Sequence, residues 1–146
     1  MKPRAPDRTA YRAFLPITTR WMDNDLYGHV NNVVYYSFFD TAVNQWLIER
    51  GLLDLSAGET IGFVVRTECD YFAPIAFPQR VEAGLGVEHL GRSSVRYRVG
   101  IFADGGERAV AGGRFTHVYV DRATRRPRPL SERWLRALGD LVVGNP

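Results

Sequence analysis

The chain has 146 residues, 45% hydrophobic and 24% charged, with a formal charge of +3. That composition suits one domain with a real hydrophobic core and excludes disorder except at the ends. The charge is compatible with an anionic small-molecule ligand but is too small to argue for nucleic acid. One cysteine, Cys69, rules out an internal disulfide, no apolar run reaches the ~18 residues of a membrane span, and "MKPRAPDRTAYRAF" lacks an apolar signal core, so the expected location is the cytoplasm.

Residues 1–10, rich in proline and charge, read as a flexible tail, followed by a single domain over residues 11–146. Alternation of Tyr11, Ala13, Leu15 and Ile17 predicts a first strand over residues 11–19. The polar stretch "WMDNDLYGHVNN", residues 21–32, reads as a loop. Over residues 33–50, Tyr35, Phe39, Ala42, Val43, Trp46 and Leu47 recur at helical spacing. Asn31 or Asn32 is placed to cap this helix and Gly51 to stop it. Its five aromatic side chains predict a deeply buried helix.

From residue 61 to residue 121 the pattern is strand. Phe63, Val65, Thr67, Cys69 and Tyr71 alternate with their neighbours until Pro74 ends the run. Val81, Ala83, Leu85 and Val87 follow, then the hairpin signal "HLGRSS", then Val95, Tyr97, Val99 and Ile101. "ADGGE" marks a second hairpin, and the last strand is expected to bend or bulge at Gly112 and Gly113. A basic loop, "DRATRRPRPL", leads to a short C-terminal helix from Ser131 that carries Trp134, Leu135, Leu138 and Leu141. The fold class is α+β, with an antiparallel sheet of about five strands wrapped around a long central helix.

The stretch "RWMDNDLYGHVNNVVYYSFFDTA" resembles the hot-dog-fold acyl-CoA thioesterases of the 4-hydroxybenzoyl-CoA thioesterase-like branch. It is similar to their Asp-x-Asp-x-x-Gly-His-Val-Asn-Asn loop, and the likeness extends to "YFAPI", "GRSSVRYRV" and "THVYVD", over roughly residues 12–122. The resemblance implies hydrolysis of an acyl-CoA thioester to a carboxylic acid and free coenzyme A. It implies no cofactor beyond the coenzyme A of the substrate. It also implies a homodimer or a dimer-of-dimers tetramer in which the active site forms between subunits, with an acyl carrier protein as another carrier to consider.

A thiol leaves as thiolate with little help, so such an enzyme must mainly stabilise the oxyanion and bring a carboxylate or water to the carbonyl. By the family pattern Asp25 matches the catalytic carboxylate, as nucleophile or general base, and the backbone N–H of Asn32 falls at the oxyanion position. Gly28 allows close approach of substrate. His29 orients the carboxylate, bonds the thioester or satisfies the loop, and Asn31 is either a cap or a substrate contact. For Asp25 the plainer reading is a cap, since aspartate is common in turns. Asp23 reads as an acceptor for loop amides. Asp40 shares a helix face with Tyr36 and Val43, which predicts partial burial. It is the reserve carboxylate, or else the partner of a strand arginine. Arg92, Ser93 and Ser94, with the cluster Arg122, Arg125, Arg126 and Arg128, are the candidates for coenzyme A phosphates. Val33, Val34, Tyr35 and Phe63 are candidates for an acyl pocket or for core packing.

There is no dinucleotide fingerprint in "GLGVEHLG" and no GxSxG nucleophile elbow. His29, His89 and His117 are too scattered for a metal site, and Cys69 reads as an inert core thiol. Two other classes compete on the same fold: a non-catalytic acyl-CoA sensor and a hydroxyacyl thioester dehydratase. Retention of Asp25 favours the hydrolase over the first, and the loop pattern favours it over the second.

Overall fold

The structure, a computed structural model, describes residues 4–144. Its elements are β1 (Ala13–Ile17), α1 (Val34–Glu49), β2 (Thr60–Tyr71), β3 (Val81–Leu90), β4 (Ser94–Ala103), β5 (Ala111–Asp121) and α2 (Glu132–Gly139). All strands pair antiparallel in one sheet, in the order β1-β3-β4-β5-β2. This is the expected α+β arrangement of five strands, a long helix and a short C-terminal one. No described helix is long and apolar enough to cross a membrane.

Period-two alternation puts Leu85, Val87, Tyr97, Val99, Phe115 and Tyr119 on one sheet face, all buried. Onto that face α1 lays Tyr35, Phe38, Phe39, Ala42, Val43, Trp46 and Leu47. Phe39 meets Phe115 edge-on at 6.0 Å between centroids. Burying each large side chain of this kind contributes roughly 1.5–3 kcal/mol. The helix is nevertheless buried on one side only. Tyr36, Asp40, Thr41 and Ile48 lie exposed on the other, because a single sheet covers one face of a helix. Asp40 therefore departs from the expected burial. It forms no ion pair among the described residues, so the expected strand arginine is not its partner. Desolvation by its surroundings still raises its carboxyl above the ordinary range.

The register breaks between Val64 and Arg66 in β2 and between Val87 and His89 in β3. The expected bulge at Gly112 and Gly113 is absent: pairing runs unbroken through both. Gly113 serves close approach instead, since a Cβ there would run into the Glu68 carbonyl oxygen. The β2 bulge also reverses the expected alternation. Phe63 pairs with Val118 on the outer face, under the Arg125 guanidinium, whereas Thr67, Cys69 and Tyr71 face inward. Phe63 is thus no part of an inner acyl pocket within one chain. Cys69 is half-buried, and desolvation pushes its thiol up to about 11, so it is protonated at neutral pH.

The tail expected over residues 1–10 is bound to the sheet from residue 5 onward, while residues 1–3 lie outside the described residues. Ala109 N–H donates to the Pro6 carbonyl at 2.9 Å. Arg8 pairs with Glu82 at 2.9 Å and lies over the rings of Phe14 and Phe102. Tyr11, Phe102 and Ala109 form a small second core under this segment, which gives the charged stretch something to pack on.

Candidate active site

The polar loop between β1 and α1 is built from its own hydrogen bonds. Buried Asp23 accepts from Arg20 N (2.8 Å), Nε (3.1 Å) and Nη2 (2.8 Å), and its carbonyl takes the Asn31 N–H at 2.9 Å. It is the loop acceptor that the sequence suggests. Asn24 Oδ1 accepts from Phe77 N–H at 3.0 Å, and Asn24 bridges Val30. Between them the chain makes a tight hairpin, in which Asp25 N–H donates to His29 O (2.9 Å) and Gly28 N–H to Asp25 O (3.0 Å). Gly28 has φ +80°, a left-handed turn that glycine adopts without strain. The hairpin is anchored to the segment after β2 by Val30 N–H donating to Ile75 O at 2.8 Å.

Asp25 is half-buried in this turn. Its Oδ1 accepts the Tyr27 N–H at 2.8 Å, while Oδ2 has no protein partner among the described residues. The carboxylate is thus held by one oxygen and open at the other. Asn31 Oδ1 accepts from Val33 N–H at 3.0 Å, a turn contact ahead of the helix. The cap position of α1 is Val33, which offers no capping side chain, so neither Asn31 nor Asn32 caps the helix as expected. Next along the chain, the Asn32 N–H has no protein acceptor among the described residues. A free N–H at the positive end of α1 can bind an oxyanion.

A cleft of about 280 Å³ opens at this helix start. His29, Val30 and Asn32 line it from the loop, Tyr35 from the first turn and residues 71–74 from the end of β2. Asp25 is one hairpin step away rather than in its wall. Tyr71 was not singled out by the sequence. Its hydroxyl donates to the Asn32 carbonyl at 2.9 Å, and its ring stands edge-on to Tyr35 at 5.0 Å. The only hint was its position at the end of the run that Pro74 stops.

Other expected site residues are not brought together with the cleft. Ser94 pairs with Val118, whereas Tyr71 pairs with Ala111, seven residues along β5. At ~3.3 Å per residue, the turn holding Arg92, Ser93 and Ser94 lies roughly 23 Å away in the same chain. Arg128 is committed to Asp121 (3.2 Å) and Glu59 (3.0 Å), and Arg122 donates to Gly58 O. No cluster of metal-ligating side chains exists among the described residues.

A five-stranded antiparallel sheet wrapped on a long helix, with a cleft at that helix's N-terminus, defines the hot-dog class. The chain belongs to the thioesterase-like superfamily, whose family model matches residues 19–138. It is similar to the PA5185 protein from Pseudomonas aeruginosa strain PAO1, at 56% identity over 95% of this chain and 97% of that one, with a TM-score of 0.92. It is also similar to a thioesterase from Thermus thermophilus complexed with coenzyme A and Zn, at 32% identity over 89% and 97%, TM-score 0.72. A third similar structure is the PA2801 protein from Pseudomonas aeruginosa, at 28% identity over 87% and 97%, TM-score 0.78. None of the curated proteins matches the chain.

Proposed function

We propose that the chain is an acyl-CoA thioesterase, hydrolysing a thioester to a carboxylic acid and free coenzyme A. The observation that carries this reading is Asn32, a cleft-lining residue whose N–H has no protein acceptor among the described residues, at the end of the hairpin that holds Asp25 by one oxygen only. Asp25 either attacks the carbonyl carbon or takes the proton of the attacking water. The carbonyl oxygen becomes an oxyanion, the Asn32 N–H stabilises it, and collapse expels the thiolate. Attack by water yields the acid directly, whereas attack by Asp25 yields a mixed anhydride that water then cleaves to the acid and free Asp25. Water is the only co-substrate, so no resident cofactor or metal is required. The coenzyme A held by the Thermus relative supports this carrier, and an acyl carrier protein offers the same phosphopantetheine thioester.

The proposal includes a dimer. β2 is an edge strand with Phe63, Val64 and Val65 exposed, and α1 has an open face of its own with Tyr36, Asp40 and Ile48. Antiparallel pairing of β2 with the same strand of a second copy would carry the far end of that copy's sheet toward this cleft. Arg92, Ser93, Ser94, Arg125 and Arg126 of the two chains would then be in reach of the nucleotide phosphates. His29 and Gly28 would meet the substrate near the thioester, and Asp40 is the reserve carboxylate on the helix face that the dimer covers.

The test is a panel of acyl-CoAs with a thiol-trapping dye. Thiol release by the wild type that falls at least ~100-fold in Asp25→Asn is the expected result. Binding without release would favour the sensor reading, and loss of water without thiol release the dehydratase. A near-wild-type Asp25→Asn would refute the assignment of that residue.

A further inference from the structure

We infer that Tyr71 is a positioning residue for the oxyanion site, its hydroxyl holding Asn32 where the free N–H can meet the thioester oxygen. This rests on the hydrolase reading proposed above. The start of α1 restrains Asn32 poorly. Val34 N–H reaches Asn31 O at 2.9 Å, but the local bond that Asn32 accepts is long, from Tyr35 N–H at 3.4 Å, and the next, Tyr36 N–H to Val33 O, is 3.3 Å. Val33, which begins the turn, makes no side-chain cap, and Asn32 itself is exposed. The flanking residue is better held, since the Asn31 N–H donates to the Asp23 carbonyl and its Oδ1 accepts the Val33 N–H.

For Asn32 the only tertiary hydrogen bond among the described residues is the one from Tyr71, at 2.9 Å and across 39 positions of sequence. That bond joins the helix start to the end of the edge strand, so two walls of the cleft share it. The Tyr71 ring, 45% exposed, is met on one side by Tyr35 at 88°, which favours this orientation of its hydroxyl. Desolvation raises its hydroxyl above the ordinary range, with Cys69 adding to the shift, so it remains a protonated donor at neutral pH. Oxyanion donors act through placement, and a misplacement of ~1 Å can cost about 100-fold.

Tyr71→Phe keeps the ring against Tyr35 and removes only the donor. Two measurements on the full chain decide the matter. On the acyl-CoA that the wild type hydrolyses best, kcat should fall about 10- to 100-fold with KM within about twofold. Amide hydrogen exchange over residues 33–36 should quicken at least about tenfold, while β3 and β4 keep wild-type protection. A Phe variant with wild-type kcat overturns the inference. So does a reduced kcat with unchanged exchange, which would mean that the hydroxyl acts on substrate directly. A wild type silent on every acyl-CoA sinks the hydrolase reading, and the exchange measurement still decides whether the hydroxyl restrains Asn32.

Discussion

His117 lies on the inner face of β5, with Phe115 at 4.3 Å and Tyr97 at 5.3 Å between ring centroids. Its Nδ1 stands 3.4 Å from the Tyr119 hydroxyl, and its Nε2 is buried with no partner among the described residues. Burial pushes the imidazole down to about 4 from an ordinary 6.5. As pH falls, the unfolded chain therefore takes up a proton before the folded one. The stability that neutral His117 confers is fully present above about pH 6.5 and is lost as pH drops toward ~4, by up to about 3 kcal/mol. Unfolding temperatures measured from pH 4 to 7 should fall steeply toward acid in the wild type and less steeply in His117→Phe. Parallel curves would show that this histidine does not govern the acid limb. The burial was legible in the sequence, since His117 alternates in step with Phe115 and Tyr119. Its missing partner was not, because what faces Nε2 is set by residues distant in sequence.

At the scale of elements, both helices are readable from spacing and caps. Ser131 precedes α2 and its Oγ accepts the Trp134 N–H at 3.3 Å, while Trp134 and Leu138 face the core. Ser131→Ala should lower unfolding free energy by about 1 kcal/mol in a urea titration and leave thiol release unchanged. A loss much beyond this would mean that the hydroxyl does more than cap. The strands were readable too, but not their phase. In β2 the alternation expected for Phe63 through Tyr71 is broken by a bulge opposite β5, and only the pairing partner decides where an extra residue is absorbed. Gly112 and Gly113 were the wrong place to look, because Gly113 answers to the backbone of Glu68 rather than to a bend.

At the scale of the molecule, β2 leaves twelve residues of strand unpaired along one edge, with Phe63, Val64 and Val65 exposed and no edge-blocking proline among them. Such an edge invites a partner. Light scattering should give twice the chain mass or a multiple of that, and Val64→Lys with Val65→Lys should reduce it to the single-chain mass with loss of thiol release. A wild type of single-chain mass that hydrolyses thioesters would contradict the dimer. The outer sheet face is treated differently: the segment over residues 5–10 covers part of it, and Glu88 links Arg98 and Arg114 across neighbouring strands.

Periodicity and turn chemistry act over a few residues, and they sufficed for the elements, for the inward faces of β3 and β4 and for the polar loop, though not for the phase of β2. Only the closed fold leaves the Asn32 N–H without a protein acceptor among the described residues, holds Asp25 by one oxygen in its hairpin, and brings Tyr71 into the wall of the cleft that Asn32 lines. Those outcomes depend on pairs such as Val30 with Ile75 and Tyr71 with Asn32, separated by about forty residues and joined only when the sheet closes on the helix.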